Sequence, residues 1–174
     1  MRVIAGELRG RRFKAPAASR PTADRVREAL FSILGDVSGL RVLDLFAGSG
    51  ALGVEALSRG AAAAVFVDRA RAATEVVSAN LSALGLAADV HRRDALTWLR
   101  DAHGGAPFEL VFCDPPYDLS RSLAGPLGEH LPGILSKDAR IVTESDKRAP
   151  LDLPFAVLRE RTYGDTRIAV HGVG

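Results

Sequence analysis

The chain has 174 residues, 47% of them hydrophobic and 25% charged, a length that suits one domain with a real core and leaves no room for two full-sized ones. A mean hydropathy of +0.08 and no apolar run near the ~18 residues that cross a bilayer disfavour both disorder and a membrane span. One cysteine excludes an internal disulfide. The N-terminus lacks the apolar stretch of a signal peptide, so a cytoplasmic protein is expected, and His91, His103, His130 and His171 are too scattered for a zinc site. The net charge of +2 hides an asymmetry: residues 1–31 carry eight basic and three acidic side chains, a local +5, which leaves −3 for the rest.

In chain order, Arg2 to Ala5 and Arg11 to Lys14 flank Gly6 and Gly10 and read as a small hairpin with a basic tip. Residues 1–20 are thus a basic extension to a main domain at 21–174. After the turn-rich Ala15 to Pro21, Thr22 is a good N-cap with Asp24 in the first turn. Val26, Ala29, Leu30, Ile33 and Leu34 then form a helical stripe toward the body, with Arg25 and Glu28 opposite and Arg27 to one side.

From Arg41 the pattern alternates. Strand-like runs at Val42 to Phe46, Ala64 to Asp68, Ala88 to Arg92 and Leu110 to Cys113 are separated by helical patterns near 51–59, 70–84 and 95–102. A helix at Ser120 to Leu131 and a strand at Arg140 to Glu144 continue the series. Such alternation predicts an α/β fold, a mostly parallel sheet flanked by crossover helices. Phe155 to Arg161 and Thr166 to His171 around Tyr163-Gly164-Asp165 read as an antiparallel hairpin at one edge, which brings the sheet to seven strands. The alanine-rich stretches are composition bias, and no internal repeat is present.

Two loops carry the chemistry. Val42-Leu-Asp-Leu-Phe-Ala-Gly-Ser-Gly-Ala-Leu-Gly53 passes from a strand through a glycine turn into a helix, and Asp68 follows Gly48 by twenty residues, where a carboxylate can accept from ribose hydroxyls. A dinucleotide would set its pyrophosphate beside Asp44, which is repulsive. S-adenosylmethionine presents an ammonium there instead, which is attractive. Phe46, Ala47, Gly48, Ser49 and Gly50 of the turn, Asp44 before it, and Asp68 with Arg69 are therefore candidate cofactor contacts, and a nicotinamide cofactor is the alternative. Asp94, followed by Ala95, ends the third strand and could accept from an adenine amine or cap the next helix.

The second loop is Asp114-Pro-Pro-Tyr117, directly after the fourth strand. Successive prolines stiffen it and leave its carbonyls free to face a ligand. An exocyclic amine on a planar base is a poor nucleophile because its lone pair is delocalised. Asp114 and the Pro115 carbonyl can accept its two hydrogens and free that lone pair, Pro116 fixes the loop, and Tyr117 stacks on the ring. Asp114 also lies within reach of the cofactor. Cys113 must point to the other face of its strand and is expected to be structural, not a nucleophile.

On these residues the chain resembles class I, Rossmann-like S-adenosylmethionine-dependent methyltransferases, and more narrowly the RsmD family of small-subunit (16S) ribosomal RNA guanine-N2 methyltransferases. The resemblance rests on Arg20-Pro-Thr-Ala-Asp-Arg-Val-Arg-Glu-Ala-Leu-Phe31, Asp44 to Gly53 with Glu55-Ala-Leu-Ser-Arg-Gly60, Asn80, Asp114 to Tyr117 and Tyr163-Gly-Asp-Thr166. Cys113 stands where a bulkier apolar residue is common. The resemblance implies methylation of one guanine N2 in ribosomal RNA, within an assembled or nearly assembled subunit, by a monomer. Arg2, Arg9, Arg11, Arg12, Lys14, Arg20, Arg25 and Arg27 would then contact phosphates. A DNA adenine-N6 methyltransferase and a non-catalytic ribosomal RNA assembly factor are the rival readings.

Overall fold

A computed structural model describes residues 1–15, 24–102 and 104–174. Thr22, Arg20, the end of the first predicted turn and His103 lie outside the described residues, as does the boundary expected between residues 20 and 21. Helices α1 (Asp24–Leu34), α2 (Ala51–Ser58), α3 (Arg71–Leu84), α4 (Ala95–Asp101) and α5 (Ser120–His130) flank one sheet. Its strands are β1 (Arg41–Leu45), β2 (Ala63–Asp68), β3 (Asp89–Arg92), β4 (Phe108–Cys113), β5 (Leu135–Asp146), β6 (Ala156–Tyr163) and β7 (Thr166–Gly172). They run in the order β3-β2-β1-β4-β5-β7-β6. The first five are parallel, and β7 inserts antiparallel between β5 and β6. This is the expected α/β class I methyltransferase architecture. No helix among the described residues is long and apolar enough to cross a membrane.

The central strands are buried on both faces, so they read as continuous apolar runs. Residue parity assigns the faces. Val42, Phe66, Phe112 and Val142 belong to one core cluster with α1 and α2 side chains. Leu43, Leu45, Val111, Cys113 and Ile141 belong to the other, with α4 and α5.

Two expectations are corrected. The inward stripe of α1 is Arg27, Leu30, Phe31 and Leu34, with Val26, Ala29 and Ile33 only partly covered. Phe31 sets its ring 5.9 Å from that of Phe112 on β4, and that large contact outweighs the small side chain of Ala29 in setting the helix rotation. β5 begins at Leu135, five residues before the predicted start, with a register shift opposite Phe108 and Leu110. Its polar Ser136, Lys137 and Asp138 concealed it.

The N-terminal hairpin is reduced to a single bridge, Arg2 opposite Arg12, closed by Val3 N–H to the Arg11 carbonyl at 2.9 Å and Gly10 N–H to the Val3 carbonyl at 2.9 Å. It is docked, not free-standing, since Val3 and Phe13 are buried in the main core. The fully buried Glu55 carboxylate on α2 accepts from Ile4 N–H at 2.8 Å, Ala5 N–H at 2.9 Å and Arg59 Nε at 2.8 Å. Asn80 on α3 accepts from Lys14 N–H at 2.8 Å, and donates to the Lys14 carbonyl at 2.8 Å and to the Ser49 carbonyl at 3.1 Å. One side chain therefore joins the basic arm to the glycine turn.

Candidate active site

The strand order reverses between β1 and β4, and ligands of open α/β sheets bind outside the carboxyl ends of the strands at that point. There a cavity of about 500 Å³ is lined by Phe46, Gly48, Val67, Asp68, Arg69, Asp94, Ala95, Asp114, Pro115, Pro116, Tyr117, Asp118, Leu119, Leu123 and Glu144. The volume falls in the usual range for small-molecule sites. A larger but more open depression of about 590 Å³ lies at the opposite ends of β1–β3, walled mostly by small apolar side chains such as Ala62, Ala64 and Ala88. It gathers none of the predicted groups.

The glycine turn is built by backbone geometry. Phe46 has a φ of 61°, a conformation that a bulky residue rarely adopts, and is alone among the described non-glycine residues in doing so. Gly48 follows at 55° and Gly50, the N-cap of α2, at 76°. Ala47 N–H reaches the Val67 carbonyl at 3.1 Å and fastens the turn to β2. Asp68 holds it from the other side, accepting from Gly48 N–H at 3.0 Å and Ala70 N–H at 2.8 Å. Asp94 lines the cavity and caps α4, its Oδ1 accepting from Thr97 N–H at 3.0 Å, so the expected cap is present.

Asp44, Ala47, Ser49 and Gly50 do not line the cavity. Asp44 is 2% exposed and accepts from Gly53 N–H at 3.0 Å. It braces the start of α2 from beneath. Burial pushes its carboxyl up to about 8, opposed by the Gly53 hydrogen bond and assisted by the charge of Asp68. Gly53 is needed there, because a Cβ would lie 2.3 Å from the Phe66 ring.

Asp114 is half-buried at the end of β4. Burial, and then the charges of Glu144 and Asp44, hold its carboxyl well above the usual carboxylate range. Pro116 leads into a 3-10 turn at Tyr117–Leu119, which carries Tyr117 and Leu119 to the cavity wall. Cys113 is fully buried on the opposite face, where burial and the neighbouring Asp44 and Asp114 charges push its thiol far up. We expect Cys113→Ala to keep methyl-transfer activity within about a factor of three, because a neutral buried thiol is only a small apolar filler. A turnover assay checks this, and abolished transfer by a folded variant would restore the nucleophile.

Val67, Leu119, Leu123, Asp118 and Glu144 were not foreseen as wall residues. Glu144 left a signal nonetheless, since it ends the predicted fifth strand and so falls at the carboxyl edge.

Of the basic residues, Arg2, Arg9, Arg11, Arg12, Lys14 and Arg25 are exposed. Arg2 pairs with Asp24 at 2.9 Å, and Arg11 donates to the Ala83 carbonyl at 2.7 Å. Arg27 is the exception. It is 0% exposed, donates at 2.7 Å to both the Arg2 carbonyl and Asp24, and lies over the Phe13 ring. It supports the arm from within and is not a phosphate contact.

The chain matches the family model described as "Conserved hypothetical protein 95" over residues 1–172. It is 41% identical over 187 residues to "Putative rRNA methyltransferase YlbH" of Bacillus subtilis, covering 98% of either chain. It is 34% identical over 174 residues to "Ribosomal RNA small subunit methyltransferase D" of Haemophilus influenzae, covering 94% of this chain and 89% of that one. Among solved structures, "Putative methyltransferase yhhF from Escherichia coli" superposes with a TM-score of 0.84 at 36% identity, covering 99% and 97% of the two chains.

Proposed function

Since the chain belongs to the RsmD family of methyltransferases, we propose that it transfers a methyl group from S-adenosylmethionine to the N2 amine of a guanine in small-subunit ribosomal RNA. The observation that carries this reading is the meeting of Asp114-Pro-Pro-Tyr117 with Gly48, Asp68 and Asp94 on one cavity.

The residues present fit the cofactor. Asp68 retains lone pairs for ribose hydroxyls after accepting its two backbone bonds, Asp94 faces the cavity beside Ala95, and the glycine turn permits close approach. When bound, S-adenosylmethionine supplies an electrophilic methyl on sulfur. Asp114 and the Pro115 carbonyl accept the two amine hydrogens and aim the nitrogen lone pair at that methyl, while Tyr117 holds the base by stacking. As the N–C bond forms and the S–C bond breaks, one amine proton passes to Asp114 and then to water. A carboxylate whose proton affinity is raised by burial and by Glu144 suits that task.

Reaching N2 requires the base to leave its stack, which is easiest in a loop of the RNA. The exposed Arg2, Arg9, Arg11, Arg12, Lys14 and Arg25 would grip phosphates around it. We place the reaction on an assembled or nearly assembled subunit, with the enzyme acting as a monomer in the cytoplasm. Incubation with labelled cofactor and small subunits, naked ribosomal RNA or DNA, followed by nucleoside analysis, tests the reading. N2-methylguanosine in the ribosomal RNA is the expected product. N6-methyladenosine in DNA would replace the reading with its enzymatic rival, and subunit binding without any transfer would leave an assembly factor.

A further inference from the structure

Asp114-Pro-Pro-Tyr117 can serve the amine of guanine, adenine or cytosine equally, so the choice of base must lie elsewhere on the cavity wall. The last parallel pair of β4 and β5 sets Cys113 opposite Thr143, so Asp114, the first residue past the end of β4, follows beside Glu144 on β5. Glu144 has the parity of Val142, whose face is opposite to that of Cys113. Strands ~4.8 Å apart bring two such carboxylates near enough to address adjacent atoms of one ring edge. Both line the cavity, and Glu144 is 8% exposed. A buried acid beside another acid is a costly arrangement that needs a reason. Their mutual influence is visible in the raised proton affinity of Asp114.

We propose that Glu144 is the specificity-determining residue for guanine, its carboxylate accepting the N1–H while Asp114 and the Pro115 carbonyl take the N2 amine. The inference rests on the guanine-N2 reading above. Guanine presents two donors side by side, N1–H and the N2 amine. Adenine and cytosine place a lone pair, on N1 or N3, beside their amine. A carboxylate there attracts the first pattern and repels the second, so selection uses rejection as well as attraction. A carboxylate accepts several hydrogen bonds, so other contacts of Glu144 are compatible with this role.

The test uses 2-aminopurine, which keeps the N2 amine but carries a lone pair at N1. Once the methylated guanine is mapped, small subunits are reconstituted with guanine or 2-aminopurine at that position. The wild-type enzyme should favour guanine in kcat/KM by on the order of 10². Glu144→Gln, whose amide can donate to N1, should reduce that ratio at least ~10-fold, and Glu144→Ala should reduce it similarly at a lower overall rate. The ratio is the readout because a merely structural role would slow both substrates alike. A wild-type ratio near one overturns the inference without any variant, as does an unchanged ratio in either variant. A product other than N2-methylguanosine from the wild-type enzyme would instead overturn the guanine-N2 reading itself.

Discussion

Asp114→Ala is expected to lower turnover by on the order of 10² to 10³ while leaving cofactor affinity unchanged, the usual result of deleting one preorganised polar contact. The separation follows from position: the cofactor contacts proposed for Gly48, Asp68 and Asp94 lie on other strand ends of the same cavity. Titration calorimetry with the cofactor beside a methyl-transfer assay checks both halves, and a large loss of cofactor affinity would reassign the residue. The pH profile gives a sharper reading. Asp114 must be ionised to take up the amine proton, and its carboxyl is held above the usual range by burial, Glu144 and Asp44. Activity should therefore fall with decreasing pH through that raised value, above the ~3.9 of an ordinary aspartate. Glu144→Gln removes a neighbouring charge and should move the acid limb to lower pH. In Asp114→Asn the limb should vanish with most of the activity.

Much of this site was legible because it is local in sequence. The glycine turn and the Asp-Pro-Pro-Tyr loop each follow an apolar run, and chain order alone brings them to one sheet edge. The direction of Asp44 was not legible. An acid ending a strand looks the same whether its side chain is exposed or braces the next helix from beneath, and only the fold shows the bond from Gly53 N–H to Asp44. Arg27 was misjudged because two stripes on α1 differ by one residue, about 100° of rotation, and the Phe31–Phe112 contact selects between them. The docking of the arm depends on Glu55, Ser58 and Asn80, some fifty or more residues away in sequence, and no periodicity reports such pairs.

That docking makes the arm testable by position as well as by charge. Replacing Arg9, Arg11 and Arg12 with alanine should weaken RNA binding and lower the slope of log affinity against log salt by about two to three, one phosphate contact each. Gly6→Ala keeps every charge but not the geometry. Gly6 has a φ of +82°, and a Cβ would lie 1.8 Å from the Ser58 carbonyl oxygen, so the turn must lift from the end of α2. The lift breaks the 2.8 Å bond from Glu7 N–H to that carbonyl and the 3.0 Å bond from Leu8 N–H to Ser58 Oγ. We expect Gly6→Ala to lower kcat/KM on the subunit at least ~10-fold, with a stability cost of ~1–3 kcal/mol and unchanged cofactor affinity. Its salt slope should stay nearer to wild type than that of the triple variant, since misplaced arginines still release counterions. If the triple variant keeps the wild-type slope, the arm does not touch phosphate, and its charge serves only to solvate a surface held by Glu55 and Asn80.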